Sequence, residues 1–290
     1  MTNLPENQQS TEKEIYNFRE DGIQIKYNFL NEDQVNALRE ECQHLFSKSQ
    51  LYGLGYGVRL SNYVSEIPYP TAQINSVNML EVAVDIAKEF EKLGFENYKL
   101  AHVALYHEQN NPKELIWHSD MRNGGLIRAQ IVILGGDLTS GAFRYYTGSQ
   151  KIASPDVYYP DQEYMDNHKD NLVTCNKKNG SLFLINTLGY HSKCVCMDTR
   201  ISFMFDFLPA NYILENPNDV SSEVHLTSSK LSAKVVENIS LFQSGVLPGT
   251  KSPNTPDAYK FNKIMAGANK NDIKELVKYA LSKSLKKLRK

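Results

Sequence analysis

The chain has 290 residues, of which 41% are hydrophobic and 22% are charged, and its formal net charge is −1 at pH 7. These are ordinary globular values, so a fibrous or wholly disordered protein is excluded. No apolar run approaches the ~20 residues that a membrane-spanning helix needs, and the polar first residues do not resemble a secretion signal. We therefore predict a cytoplasmic protein with no membrane partner.

The N-terminal part predicts a polar disordered tail followed by α and β elements. Residues 1–13 are rich in Asn, Gln, Glu and Thr, a composition typical of disorder. Residues 21–29 predict a strand, and Asn31 is placed to cap an amphipathic helix that reaches Phe46. A second helix is predicted over 77–93, with Gly94 ending it.

Residues 51–70, between these helices, are rich in Gly and Tyr and predict a loop. Loops of this kind often close over a substrate, and Tyr56 and Arg59 are then candidate substrate contacts. An irregular connection without such a role is the alternative.

The middle of the chain has an almost continuous β pattern. Short apolar runs are separated by Asn, Gly, Pro and Asp, which are turn residues. The predicted strands are 99–107, 115–120, 126–134, 141–147, 181–186, 192–196 and 200–208. Seven or eight short antiparallel strands predict a mainly β fold with flanking helices, a jelly roll that makes 14–215 one domain.

Three residues in this β region can hold one metal ion. Side chains alternate along a strand, so His118 and Asp120 project to the same side. His191 lies between two apolar runs and is the candidate third ligand, although a lone histidine is more often structural. Two histidines and one carboxylate form the facial triad of non-haem Fe(II) oxygenases, which leaves three coordination positions open.

A carboxylate-binding pair is predicted on the strand that follows. Alternation along 200–207 places Arg200 and Ser202 on one face and Ile201 and Phe203 on the other. A guanidinium with a neighbouring hydroxyl is suited to bind a carboxylate by a bidentate, charge-assisted contact.

The order His-x-Asp, distal histidine, then Arg-x-Ser beginning nine residues later, resembles the Fe(II)/2-oxoglutarate-dependent oxygenase superfamily. The segments LIRAQIVILGGDLTSGAF and NGSLFLINTLGYH are similar to its phytanoyl-hydroxylase-like and prolyl-4-hydroxylase-like branches. The resemblance covers mainly 98–209 and implies a double-stranded β-helix. It also implies an enzyme that uses Fe(II), O2 and 2-oxoglutarate as cosubstrate, the latter bound by Arg200 and Ser202 with help from Tyr106.

A complete triad with Asp120 implies oxidation of a C–H bond by hydroxylation, desaturation or cyclisation, and not halogenation. We expect a small-molecule metabolite of specialised metabolism as the substrate, with Arg122, Arg144 and Tyr146 as further candidate contacts. A peptidyl hydroxylase is the alternative enzyme. A non-catalytic jelly-roll binding protein that retains a metal is the alternative of another class.

Residues 216–290 predict a helical extension packed on the same domain, with helices around 229–242, 258–266 and 270–287. Residues 270–290 carry a net charge of +6, which indicates a docked helix with a solvated face, or a contact for an anionic partner or a second subunit in a homodimer. No aromatic-basic motif accompanies this charge, so a nucleic-acid partner is not expected.

Overall fold

The structure is a computed structural model, and it describes residues 16–52, 58–59, 63–68, 74–120, 125–152, 158–175, 179–215 and 232–242. Its strands are β1 Ile23–Lys26, β2 Val58–Arg59, β3 Val64–Pro68, β4 Tyr98–Asn111, β5 Leu115–His118, β6 Ile127–Leu134, β7 Phe143–Tyr146, β8 Leu172–Cys175, β9 Leu182–Asn186, β10 His191–Lys193 and β11 Cys196–Pro209. Its α-helices are α1 Phe18–Asp21, α2 Glu32–Tyr52, α3 Met79–Lys92, α4 Gln162–Asn167, α5 Ala210–Glu215 and α6 Ala233–Glu237.

The strands form two antiparallel sheets with a cavity between them. The large sheet has the order β1-β9-β6-β11-β4-β3-β2, and the small sheet has the order β5-β10-β7-β8. Strands β4 to β11 pass repeatedly between the two sheets, which is the winding of a double-stranded β-helix. The predicted jelly roll is therefore confirmed.

The two long helices pack on the outer face of the large sheet. Their apolar residues join those of β4, β6 and β11 in one core, in which Leu38 of α2 and Ile86 of α3 are fully buried. Helix α2 begins at the predicted cap, where Asn31 and Gln34 exchange bonds of 3.0 and 2.9 Å between side chain and backbone. Because the helices cover this face, the polar face of the large sheet is left for the cavity.

The predicted loop at 51–70 is wrong in part. Helix α2 extends to Tyr52, and Val64–Pro68 forms β3, which pairs with β4 along five residues. Strand β2 then pairs with β3. The reason is that β3 pairs with β4, which is longer than predicted and has one edge not covered by β11. Because β4 is distant from 51–70 in the sequence, local patterns do not reveal this pairing. The short strand β8 and helix α4 were also missed.

The C-terminal segment is described only in part. Helix α6 lies inside the predicted helical stretch 229–242, whereas the predicted helices at 258–266 and 270–287 and the tail at 1–13 lie outside the described residues. All four cysteines are free and buried, as expected for reduced thiols. Among the helices that the structure describes, none is both long and apolar enough to cross a bilayer.

Candidate metal centre

Two histidines of the small sheet face each other across neighbouring strands. His118 ends β5, His191 begins β10, and the two residues are register partners whose ring centroids lie 4.5 Å apart. Asp120 follows β5, and its backbone N–H donates to the carbonyl of Thr187 at 2.7 Å. The ligand atoms of the two histidines and Asp120 all lie within 4.8 Å of one another. The structure thus brings the three predicted metal ligands together.

Backbone contacts orient both imidazole rings. Nδ1 of His118 lies 2.7 Å from the carbonyl oxygen of Ile116, and Nδ1 of His191 lies 2.9 Å from that of Gly189. A carbonyl can only accept, so each Nδ1 carries a proton and each Nε2 is turned toward the triad. Nε2 of His191 is buried and has no hydrogen-bond partner within the described part of the chain. A divalent ion would satisfy this atom, so the donor set fits the Fe(II) that the triad predicts.

Asp120 is ionised because of its neighbours. Burial alone would raise the pKa of this carboxyl, but the adjacent rings of His118 and His191, with Nε2 atoms 3.4 and 3.5 Å from its oxygens, and the charge of Arg128 hold the pKa well below its usual range. Arg128 contributes directly, since its Nη1 donates to Oδ2 of Asp120 at 2.9 Å. The carboxylate is therefore available as a metal ligand across the physiological pH range.

Arg128 belongs to a line of buried charges that runs across the large sheet. Its Nε and Nη2 donate to the two carboxylate oxygens of Asp206 at 2.6 and 3.2 Å. His102 lies between Asp206 and Glu66, at 3.4 and 2.9 Å. We call Asp120, Arg128, Asp206, His102 and Glu66 the Arg128 network. It connects a candidate metal ligand to β3, and sequence reasoning missed it because its members are far apart in the chain.

The network predicts a pH-dependent stability. Burial lowers the pKa of His102, but the hydrogen bonds and charges of Asp206 and Glu66 raise it to about 9. The folded state therefore favours the protonated ring. Protonation of His102 contributes its full stabilisation of the folded state below the pKa of about 6.5 that the ring has in the unfolded chain. This stabilisation is lost as pH rises through the folded-state pKa of about 9. Urea unfolding should give a higher free energy of unfolding for the wild type than for His102→Gln near pH 6. This difference should be smaller near pH 10. An equal difference at both pH values would contradict this assignment.

The cavity beside the triad has a volume of about 580 Å³ and is lined by both sheets. Its wall combines charged, aromatic and apolar side chains: Tyr63, Val64, Tyr106, Glu108, Asn111, Lys113, Glu114, Leu115, His118, Arg128, Gln130, Phe143, His191, Ser192, Lys193, Arg200 and Met204. Tyr106 is thus on the wall, and its contact with 2-oxoglutarate stays a prediction. Burial and the nearby charge of Glu66 raise its pKa, so its hydroxyl stays protonated and can donate.

Arg200 is a buried cation that faces this cavity. Arg200 is only 4% exposed, and its Nε has no hydrogen-bond partner among the residues that the structure describes. Burial lowers the pKa of Arg200, and the charge of Glu108 opposes that effect. Within the described part of the chain, no carboxylate forms an ion pair with Arg200. The chemistry of a buried guanidinium in this state suits it to accept a carboxylate partner.

Ser202 lies on the predicted face of β11. It is completely buried, and its hydroxyl is 3.5 Å from Nε2 of Gln130, a residue of the cavity wall. Ser202 itself is not among the residues that line the cavity. Its contact with the cosubstrate stays a prediction.

Arg144 and Tyr146 are not among the residues that line the cavity. Phe143 lines it, and alternation along β7 turns Arg144 to the other face of the strand. There Arg144 donates to two residues of the wall, Glu114 at 2.7 Å and Ser192 at 3.1 Å, and lies 5.0 Å from the ring of Trp117, which packs on Tyr146. Their role as substrate contacts stays a prediction.

The other predicted substrate contacts cannot be placed in the same way. Tyr56 and Arg122 lie outside the described residues. Arg59 belongs to β2, where its backbone is the register partner of Ser65. Among nearby residues that sequence reasoning missed, Tyr63 and Val64 line the cavity from the start of β3.

No family model matches this sequence, and no curated protein matches it. Solved structures do match the fold. The non-heme alpha ketoglutarate dependent carbocyclase SnoK from nogalamycin biosynthesis is 16% identical, with a TM-score of 0.51 over 67% of this chain and 82% of that one. The epimerase SnoN from the same biosynthesis is 15% identical, with a TM-score of 0.53 over 67% and 78%.

EctD from S. alaskensis, crystallised with 2-oxoglutarate and 5-hydroxyectoine, is 17% identical, with a TM-score of 0.52 over 67% of this chain and 74% of that chain. At these identities the likeness shows the fold. It confirms the double-stranded β-helix that the sequence motifs implied.

Proposed function

We propose that this protein is an Fe(II)- and 2-oxoglutarate-dependent dioxygenase that oxidises a C–H bond of a small-molecule metabolite by hydroxylation, desaturation or cyclisation. One observation carries the proposal. Both histidines of the His-Asp-His triad and the buried guanidinium of Arg200 line the same cavity of about 580 Å³, and the ligand atom of Asp120 lies within 4.8 Å of those of the histidines. A metal site and a cation in one cavity suit a ligand such as 2-oxoglutarate, which has a ketoacid group to chelate the metal and a second carboxylate to pair with the cation.

The iron would be held by Nε2 of His118, Nε2 of His191 and one oxygen of Asp120. Arg128 donates to Oδ2 of this carboxylate, which restrains its orientation in the triad. When bound, Fe(II) with 2-oxoglutarate and O2 supplies the oxidant that breaks the C–H bond. The chain positions these partners and excludes water, since Phe143 and Met204 form apolar parts of the wall.

Arg200 would bind the far carboxylate of 2-oxoglutarate. Its strand, β11, is the neighbour of β4, so Tyr106 lies on the same wall and can donate its hydroxyl proton to a ligand oxygen. The cavity has the size of a small-molecule site, which spans ~300–1,000 Å³. The structural relatives named as a carbocyclase and an epimerase, and EctD with 5-hydroxyectoine, are consistent with a small-molecule substrate.

Anaerobic titration tests the proposal. Addition of 2-oxoglutarate to the Fe(II)-loaded protein should produce a visible metal-to-ligand charge-transfer band, because the chelated ketoacid accepts electron density from iron. Exposure to O2 should then release succinate. His191→Ala should show neither, since it removes one of the three ligands. Iron binding without the band, and without succinate, would instead indicate a metal-retaining binding protein.

A further inference from the structure

A second cation, Lys193, lies beside Arg200 at the same end of the cavity. Its Nζ forms an ion pair with Glu108, whose Oε1 also accepts a hydrogen bond from Nδ2 of Asn111 at 2.7 Å. The Lys193 and Glu108 side chains are 13% and 3% exposed. We call Arg200, Lys193 and Glu108 the charged end of the cavity, and all three line it.

Contacts at one glycine show how close the two cations are. A Cβ placed on Gly141 would lie 2.8 Å from Cδ of Arg200 and 3.4 Å from Cδ of Lys193. The aliphatic parts of both side chains therefore pass over the same glycine. Glu108 is the register partner of Arg200 on β4, so its carboxylate belongs to this same group of charges.

The charged end has one positive charge in excess. Arg200 and Lys193 are cations, Glu108 is the single anion, and burial makes an uncompensated charge costly. Lys193 has three donor hydrogens, and its ion pair is made with one oxygen of Glu108. A carboxylate bound to Arg200 would restore neutrality and lie within reach of the remaining donors of Lys193.

On the basis of the proposed function, we propose that Lys193 is a second binding residue for the far carboxylate of 2-oxoglutarate. Glu108 holds the ammonium group in place and limits the excess charge to the one unit that a single carboxylate neutralises. Two cations with a fixed counter-charge favour a 2-oxo acid with a second carboxylate over one without it, such as pyruvate.

Calorimetric binding to the Mn(II)-loaded protein tests this assignment without turnover. Lys193→Met should weaken 2-oxoglutarate binding by about 10- to 100-fold, the usual contribution of a hydrogen bond to a charged group. Pyruvate binding and Mn(II) affinity should stay within about threefold, because neither involves the far carboxylate. Lys193→Arg should recover most of the affinity, since it keeps the charge and the donors.

A double-mutant cycle separates direct binding from neutralisation of Glu108. If Lys193 contacts the carboxylate, Lys193→Met combined with Glu108→Gln should bind 2-oxoglutarate at least about tenfold more weakly than Glu108→Gln alone. If the two bind equally, Lys193 only neutralises Glu108 and the assignment is overturned. A failure of the proposed function would look different, since the Mn(II)-loaded wild type itself would not bind 2-oxoglutarate.

Discussion

Arg200→Met should weaken 2-oxoglutarate binding by about 2 to 5 kcal/mol, or about 30- to 5,000-fold. The ligand carboxylate would then be buried without the cation that offsets its loss of hydration. Methionine keeps the apolar part of the side chain, so the packing over Gly141 is largely retained. Mn(II) affinity should change little, since Arg200 is not among the three ligands. Calorimetry with 2-oxoglutarate on the Mn(II)-loaded protein measures the first effect, and electron paramagnetic resonance of Mn(II) measures the second.

Arg144→Met is the matched control for this experiment. It removes a guanidinium of the small sheet that is not itself on the cavity wall, although Arg144 contacts Glu114 and Ser192 of that wall as well as Trp117. Its affinity for 2-oxoglutarate should stay within about threefold of wild type. An equal loss in both variants, or parallel loss of Mn(II) binding in Arg200→Met, would remove the carboxylate-binding role from Arg200.

Arg128→Met should lower the free energy of unfolding of the metal-free protein by about 3 to 5 kcal/mol, the cost of breaking a buried ion pair by removing one partner. Arg128 bridges Asp120 and Asp206, so its loss leaves two buried carboxylates close together without their cation. The Arg128 side chain is 18% exposed, and those of Asp120 and Asp206 are 19% and 12% exposed, which limits compensation by water. Urea unfolding in the presence of a chelator measures the change.

Lys151→Met is the control for a surface ion pair. Lys151 pairs with Glu20, and these side chains are 50% and 67% exposed. Water screens exposed ion pairs and leaves them little net effect on stability, so this variant should unfold almost like wild type. If Arg128→Met also cost less than about 1 kcal/mol, the network would not be a stabilising element. Its role would then be restricted to the orientation of Asp120.

The sequence determined the parts of the site that depend on local spacing. Alternation along a strand placed Arg200 on the polar face of β11 and Ile201 on the apolar face, and the structure has both where they were predicted. The same rule related His118 to Asp120. The helix caps at Asn31 and Gly94 were also readable, because a cap is formed by residues within one turn of the helix end.

Only the tertiary structure decided which distant residues share a surface. Strand β3 exists because its backbone pairs with the free edge of β4, and no pattern within 51–70 reveals that partner. The register of β4, β6 and β11 likewise brings His102, Arg128 and Asp206 into one row. Register also pairs Gln130 with Met204, which leaves the Gln130 amide 3.5 Å from the hydroxyl of Ser202. These outcomes depend on strand pairing across many residues, whereas side-chain alternation depends on the backbone of a single strand.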